Sequence, residues 1–191
     1  MEHCRRMFEE VLGIHNEDCI REVEGSARIR SYKKKEIILR EGEFQSEIPF
    51  IISGSFIGYY LDDGRRAADC IVDYYGAAVT GACDIESFAK PSDVYFEALE
   101  RSEALCVPSE VIVHIVTTYP EALAAMQRII SDSLMEHRRM QRMNVTPLPQ
   151  RYQMFCEMFP ELSKRLNRTQ TAMCLNASIS ALSRMLGDTG K

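Results

Sequence analysis

The sequence predicts an α+β chain: an N-terminal antiparallel β-roll of double-stranded jelly-roll type, a long helix, and a small C-terminal helix-turn-helix unit. Three observations carry that prediction. Short β-rich runs recur at roughly 8–12-residue spacing between Ile37 and Val107, separated by Gly, Ser-Gly and Asp-Gly turns. From Ser109 onward the apolar period becomes helical. Charge also divides along the chain. Residues 137–191 carry nine Lys/Arg against three acids, a net of +6, whereas residues 1–136 carry −11, for −5 overall. A basic segment hidden in an acidic chain points to a polyanion meeting one face of the molecule.

Residues 5–24 intersperse charges with Phe8, Val11, Leu12, Ile14, Ile20 and Val23, which suits one or two short amphipathic helices. The runs Glu36–Leu39, Pro49–Ile52, Ser55–Leu61, Ile71–Tyr75, Tyr95–Leu99 and Ala104–Val107 are the expected strands. Lys33-Lys34-Lys35 reads as a solvated strand edge. Residues 1–108 thus form the predicted roll with its N-terminal helices. Residues 109–143 are helical, with Ser109 as expected N-cap and Pro120 at the first position of a second helix. That second helix runs to Met143 without internal Gly or Pro. Leu123, Met126, Ile130, Leu134, His137 and Gln141 fall on one stripe at spacings of three and four. A helix of about 36 Å outruns a small roll, so the stripe predicts a seam with a second copy, a homodimer. Residues 144–149, with Pro147 and Pro149, read as a linker. Residues 150–191 form the terminal unit, with helices expected at Gln150–Met158, Thr169–Leu175 and Ile179–Leu186.

Several function classes are excluded. No run approaches a membrane span, and the N-terminus lacks the apolar core of a signal peptide, so a cytoplasmic location and no membrane partner are expected. Seven dispersed cysteines form no CxxC pair, and the four histidines stand at no metal-ligand spacing from them. The thiols read mainly as small buried apolar groups, with Cys70, Cys83 or Cys106 as the positions a redox sensor would use. His3 and His15 precede the roll and His114 and His137 follow it, which leaves no metal-oxygenase ligand set. With no nucleophile–base constellation or phosphate loop either, no catalytic residue, metal or cofactor is expected.

The segment from Thr169 to Leu186 has the grammar of a helix-turn-helix. Ala172 allows close helix approach, Asn176 stands where the turn needs a left-handed residue, and Ser178 can cap the second helix. Leu175, Leu182, Met185 and Leu186 supply an inner face; Ile179, Ser180, Ser183 and Arg184 an outer one suited to a major groove.

The pattern Ala172…Leu175…Ser178…Leu182-Ser183-Arg184 resembles the helix-turn-helix of the Crp/Fnr family of transcription regulators. Arg151-Tyr152 and Phe159-Pro160-Glu161-Leu162 look like the first DNA-domain helix of one branch. Gly42-Glu43, Ile51-Ile52-Ser53-Gly54 and Glu97-Ala98-Leu99-Glu100 resemble its cyclic-nucleotide-binding roll. The resemblance implies a DNA-binding dimer that answers to RNA polymerase, with an effector pocket at Gly81, Ala82, Cys83, Ser92 and Asp93. Two departures qualify it. Cyclic-nucleotide members hold the ribose with a Glu and the phosphate with an Arg; here Ala82 and Ser92-Asp93 stand at those places. Cyclic AMP is therefore not expected as effector, and the effector is unassigned. Ile179 and Ser180 replace the Arg-Glu pair many members use to read bases, so the operator should differ. The expected contacts to double-stranded DNA are Thr169, Gln170, Ser178, Ser180, Ser183 and Arg184, with Arg165 and Arg168 on phosphates. The alternatives are a cyclic-nucleotide-responsive regulator and a thiol-based redox regulator.

Overall fold

The computed structural model describes residues 2–81 and 86–188, and the pairing of seven antiparallel strands organises it. β1 (Arg28–Tyr32), β7 (Ser102–Pro108) and β3 (Glu47–Ser53) form one sheet in the order β1-β7-β3. β2 (Ile37–Leu39), β6 (Tyr95–Ala98), β4 (Phe56–Asp62) and β5 (Arg65–Val72) form the other, in the order β2-β6-β4-β5. β5 is thus an edge strand. The two sheets enclose a core that includes Tyr32, Leu39, Ile51, Phe56, Phe96, Ala104 and Cys106. Asp63 and Gly64 both take positive φ (47° and 76°), the two-residue hairpin turn that matches strand twist, and this sets Asp62 opposite Arg65. At the β3–β4 turn Gly54 has φ 91°, and a Cβ there would collide with Ser102.

Three strand-level expectations change. β5 occupies Arg65–Val72 and not Ile71–Tyr75, because its solvent-facing residues are polar and leave no apolar run. β1 begins the first sheet at Arg28, ahead of any apolar run. Lys33–Lys35 is the turn between β1 and β2, with Lys35 at φ 69°, and not a strand edge.

The N-terminal region forms α1 (Glu2–Arg6), a π-helical turn (Met7–Val11) and α2 (Glu17–Ser26). The Asn16 side chain caps α2 by accepting from the Asp18 and Cys19 amides. Phe8, Ile14, Ile20 and Val23 bury against Ile48, Phe50, Leu105 and Val107 of the first sheet and Ile112 and Ile115 of α3 (Ser109–Thr118). Pro108, not Ser109, is the N-cap of α3. The Ser109 hydroxyl instead donates to the Gln45 carbonyl at 2.5 Å.

α4 (Pro120–Asn144) is a single 25-residue helix. Ala122 and Ala125 bury against the chain's own N-terminal core, and Met140 and Met143 against the terminal unit. Leu123, Leu134 and Met135 stay 41%, 49% and 51% exposed. The linker is shorter than 144–149. α4 includes Asn144 and α5 (Leu148–Met158) starts with Pro149 in its first turn, which leaves Val145–Pro147. α6 (Pro160–Arg165), α7 (Arg168–Cys174) and α8 (Ile179–Asp188) complete the chain. α6 is an additional helix. Its six residues are too few for periodicity to announce, and a proline supplies its start.

Candidate nucleic-acid interface and effector cavity

α7 and α8 form the helix-turn-helix. Ala172 is 1% exposed, which lets the helices meet, and Asn176 takes φ 48° in the turn, where its amide donates to the Met173 carbonyl at 3.1 Å. The Ser178 hydroxyl accepts from the Ala181 amide at 3.1 Å and so caps α8. Cys174, Leu175 and Leu182 are fully buried with Phe155 and Leu162 of the preceding helices. On the outer face Ser178, Ile179, Ser180 and Arg184 are exposed and Ser183 is half-buried. Those side chains can meet base edges when α8 enters a major groove.

The remaining residues expected at DNA divide. Thr169 and Arg168 are exposed at the start of α7. Gln170 is not available in this conformation. It is 5% exposed; its side-chain oxygen accepts from the Asn167 amide in a capping box, and its amide group donates to the Leu99 carbonyl of the roll. Arg165 pairs with Glu100 of the roll at 3.1 Å. Arg151, counted in the basic surplus, is structural. Its guanidinium donates to the carbonyls of Leu175 (2.6 Å) and Thr146 (2.9 Å), so it ties the linker to the turn. The exposed bases of the basic segment within the described residues are Arg138, Arg139, Arg142, Lys164, Arg165, Arg168 and Arg184, of which Lys164 also pairs, with Glu161.

Sequence reasoning missed the contacts that hold this unit to the roll. The Asn176 carboxamide both accepts from the Ala68 amide (2.5 Å) and donates to the Ala68 carbonyl (3.2 Å) on β5. Arg66 of β5 reaches Glu97 at 2.7 Å, lies over the Tyr59 ring and meets the Met173 sulfur. Only the left-handed turn preference of Asn176 was a readable signal.

A cavity of about 530 Å³ lies between the second sheet and α4. Gly81 and Asp93 line it together with Tyr60, Asp69, Cys70, Val94 and Phe96, and Ile130, Leu134 and His137 close it from the helix. Ser92 lines a smaller adjoining pocket of about 170 Å³, where Lys90 also sits, and its hydroxyl is bonded to the Val94 backbone. Ala82 and Cys83 lie outside the described residues. His137 Nδ1 stands 3.1 Å from Asp69 Oδ1, a tether from α4 to β5. Burial pushes the Asp69 carboxyl above its usual range; His137 opposes that and Asp93 adds to it. No Lys or Arg is among the residues lining the larger cavity, and Ala82–Ile85 contribute none by sequence.

Burial also raises the thiols. Cys70 moves up to about 12, helped by Asp69, and Cys106, 3.0 Å from the Tyr32 hydroxyl, moves up as well. A raised thiol carries less of the reactive thiolate. Among the described residues no three His, Cys, Asp or Glu gather as a metal site, and no helix is long and apolar enough to cross a membrane.

No protein-family model and no curated protein matches the sequence. Solved structures do share the fold. A putative Crp/Fnr family transcriptional regulator from Eubacterium rectale superposes with TM-score 0.73 at 16% identity, covering 90% of this chain and 82% of that one. The c-di-GMP responsive global regulator CLP of Xanthomonas campestris gives 0.70 at 18% identity, over 90% of both chains. A putative cAMP-binding regulatory protein from Silicibacter pomeroyi gives 0.60 at 20% identity, over 96% of this chain and 86% of that one. The chain therefore has the fold of Crp/Fnr regulators: a cyclic-nucleotide-binding-type β-roll, a long helix and a helix-turn-helix.

Proposed function

We propose that this chain is a sequence-specific, dimeric DNA-binding transcription regulator of the Crp/Fnr type, acting in the cytoplasm, with RNA polymerase as a further partner. The observation that carries the reading is the exposed polar face of α8, with Ser178, Ser180 and Arg184 presented after a turn of helix-turn-helix geometry. The exposed stripe on α4 supports the dimer. Two recognition helices set about 34 Å apart read successive major grooves, and a change in the angle or register of the paired α4 helices changes that spacing. Arg184, with Ser178, Ser180 and Ser183, reads bases; Arg168 and Thr169 hold phosphates. The test is selection from a random duplex library with the purified protein, followed by sequencing. A single enriched, two-fold-symmetric motif is expected, and failure to enrich any duplex over random sequence at moderate salt would sink the reading.

The effector cavity, lined by Gly81 and Asp93 and flanked by Ser92, does not serve a cyclic nucleotide. A cyclic phosphate placed there would meet the Asp69 and Asp93 carboxylates and no guanidinium to pair with. Calorimetric titration with cyclic AMP and with cyclic di-GMP should give no saturable heat at micromolar concentrations; micromolar affinity for either one would instead make the chain a cyclic-nucleotide-responsive regulator. The raised thiols of Cys70 and Cys106 weigh against redox sensing at those two positions.

A further inference from the structure

We infer that the cavity between the second sheet and α4 is a site for a small amphiphilic organic cation, an ammonium or amidinium head on an apolar body, with the head held at Asp69 and Asp93. The inference rests on the reading that the cavity serves no cyclic nucleotide. At about 530 Å³ the cavity lies within the range of small-molecule sites. Its charge is one-sided. Asp69 and Asp93 contribute carboxylates, and among the described lining residues His137 is the one group able to carry a positive charge. His137 is taken up by Asp69 at 3.1 Å, whereas Asp93 has no ion pair among the described residues. Lys90, in the smaller adjoining pocket, makes no ion pair with a described acid either. The two carboxylates also feel each other. Burial raises the Asp69 carboxyl and, against His137, the Asp93 charge raises it further, a penalty that a cation between them relieves.

The walls select what the head is attached to. Tyr60 and Phe96 supply aromatic surface, which attracts a cation and packs on a ring, and Val94, Ile130 and Leu134 are apolar. A second cavity, of about 60 Å³, adjoins the first, and Thr80 and Ile130 line both. Thr80 is the one polar residue among its described walls, which otherwise include Phe8, Phe50, Ile115 and Met126. At roughly 30 Å³ for a water-sized group, it has room for a short carbon arm. A carboxylate-lined chamber that shares a wall with an apolar one fits an amphiphile. It does not fit a polyamine, whose repeated charges would leave one of them in the apolar chamber.

The full-length protein is titrated calorimetrically with phenethylamine, 3-phenylpropylamine and 4-phenylbutylamine, and with the matching neutral alcohols, while the His137 ring protons are followed by NMR. Saturable binding of the amines at micromolar concentrations is expected, with each alcohol at least about ten-fold weaker for want of a charge-assisted hydrogen bond. Affinity should rise about four-fold with each added methylene, and the His137 signals should move in step with saturation. Asp93→Asn, at an exposed position, should keep the fold and weaken the amines about ten-fold while leaving the alcohols as they were. Alcohols that bind as tightly as the amines, undiminished amine affinity in Asp93→Asn, or no saturation by any amine below millimolar concentration overturns the inference. So do His137 signals that stay still during saturable binding, which would place the amine elsewhere. Cyclic AMP is titrated beside them. Its micromolar binding brings down the no-nucleotide reading and this inference with it, whereas failure of the amines with cyclic AMP silent brings down the cation site alone.

Discussion

Arg151 shows how a charge that looks available for DNA is committed inside the fold. Its guanidinium joins the Thr146 carbonyl of the linker to the Leu175 carbonyl of the turn, and burial lowers its pKa. Arg151→Met leaves those half-buried carbonyls without a donor and should cost about 2–3 kcal/mol, read as a lowered midpoint in urea unfolding. Glu136 on α4 is perturbed in the other direction. Burial, then Asp73, push its carboxyl up to about 7, and Arg139 only partly opposes them. An acid whose pKa is raised on folding binds its proton more tightly when folded, so stability falls as pH rises from the ordinary carboxylate range through 7. That loss should be about 1 kcal/mol, discounted for solvent at a half-buried site, and Glu136→Gln should abolish it. An unfolding midpoint in the variant that still declines between pH 5 and 7.5 would assign the loss elsewhere. Asn176 and Ser178 were legible in the sequence because turn and cap preferences are local. Arg151, Gln170 and Arg165 were not, since their partners lie in other elements and an exposed-looking base reads the same whether it meets a phosphate or a carbonyl.

At the scale of elements, legibility followed how each element buries its side chains. α4 was readable nearly to its ends, because a stripe at spacings of three and four over 25 residues has few alternatives. β5 was displaced in the reading, since an edge strand that is polar outside lacks a continuous apolar run, and α6 went unseen for its brevity. The α4 stripe is not uniform in the structure. Met126 and Ile130 are half-buried on the chain's own domain, and His137 is held by Asp69, whereas Leu123 is exposed and Leu134, although it lines the cavity, stays 49% exposed. The dimer seam proposed for this helix thus centres on those two leucines, with the exposed Met135 alongside. Leu134→Lys should leave monomer stability within about 0.5 kcal/mol of the parent, as an exposed site allows, yet set two ammonium groups face to face across the seam. Sedimentation velocity at micromolar protein should show the parent as a dimer and the variant as a monomer. A variant that stays dimeric would place the seam elsewhere.

For the whole molecule, the charge division visible in the sequence takes on a structural cause. The basic segment starts on the last turns of α4 and continues through α8, so it spans one continuous stretch from the helix end to the recognition face. The sequence shows the surplus but not its partition. Arg151 is committed to carbonyls, Arg165 to Glu100 and Lys164 to Glu161, which leaves, among the described residues, Arg138, Arg139, Arg142, Arg168 and Arg184 as exposed bases beyond those pairs. Phosphate contacts appear in the salt dependence of affinity with a slope of about −0.9 per contact. Arg168, at the start of the helix that crosses the backbone, supplies one such contact per subunit of the proposed dimer. Arg168→Ala should therefore make the slope of log K against log salt shallower by about 1.8 and weaken every duplex alike. Arg184→Ala should cost most on the selected motif, by about 1–3 kcal/mol for a lost base contact. The two variants separate positioning from reading on one protein. If Arg168→Ala left the salt slope unchanged, α7 would not lie across the DNA backbone.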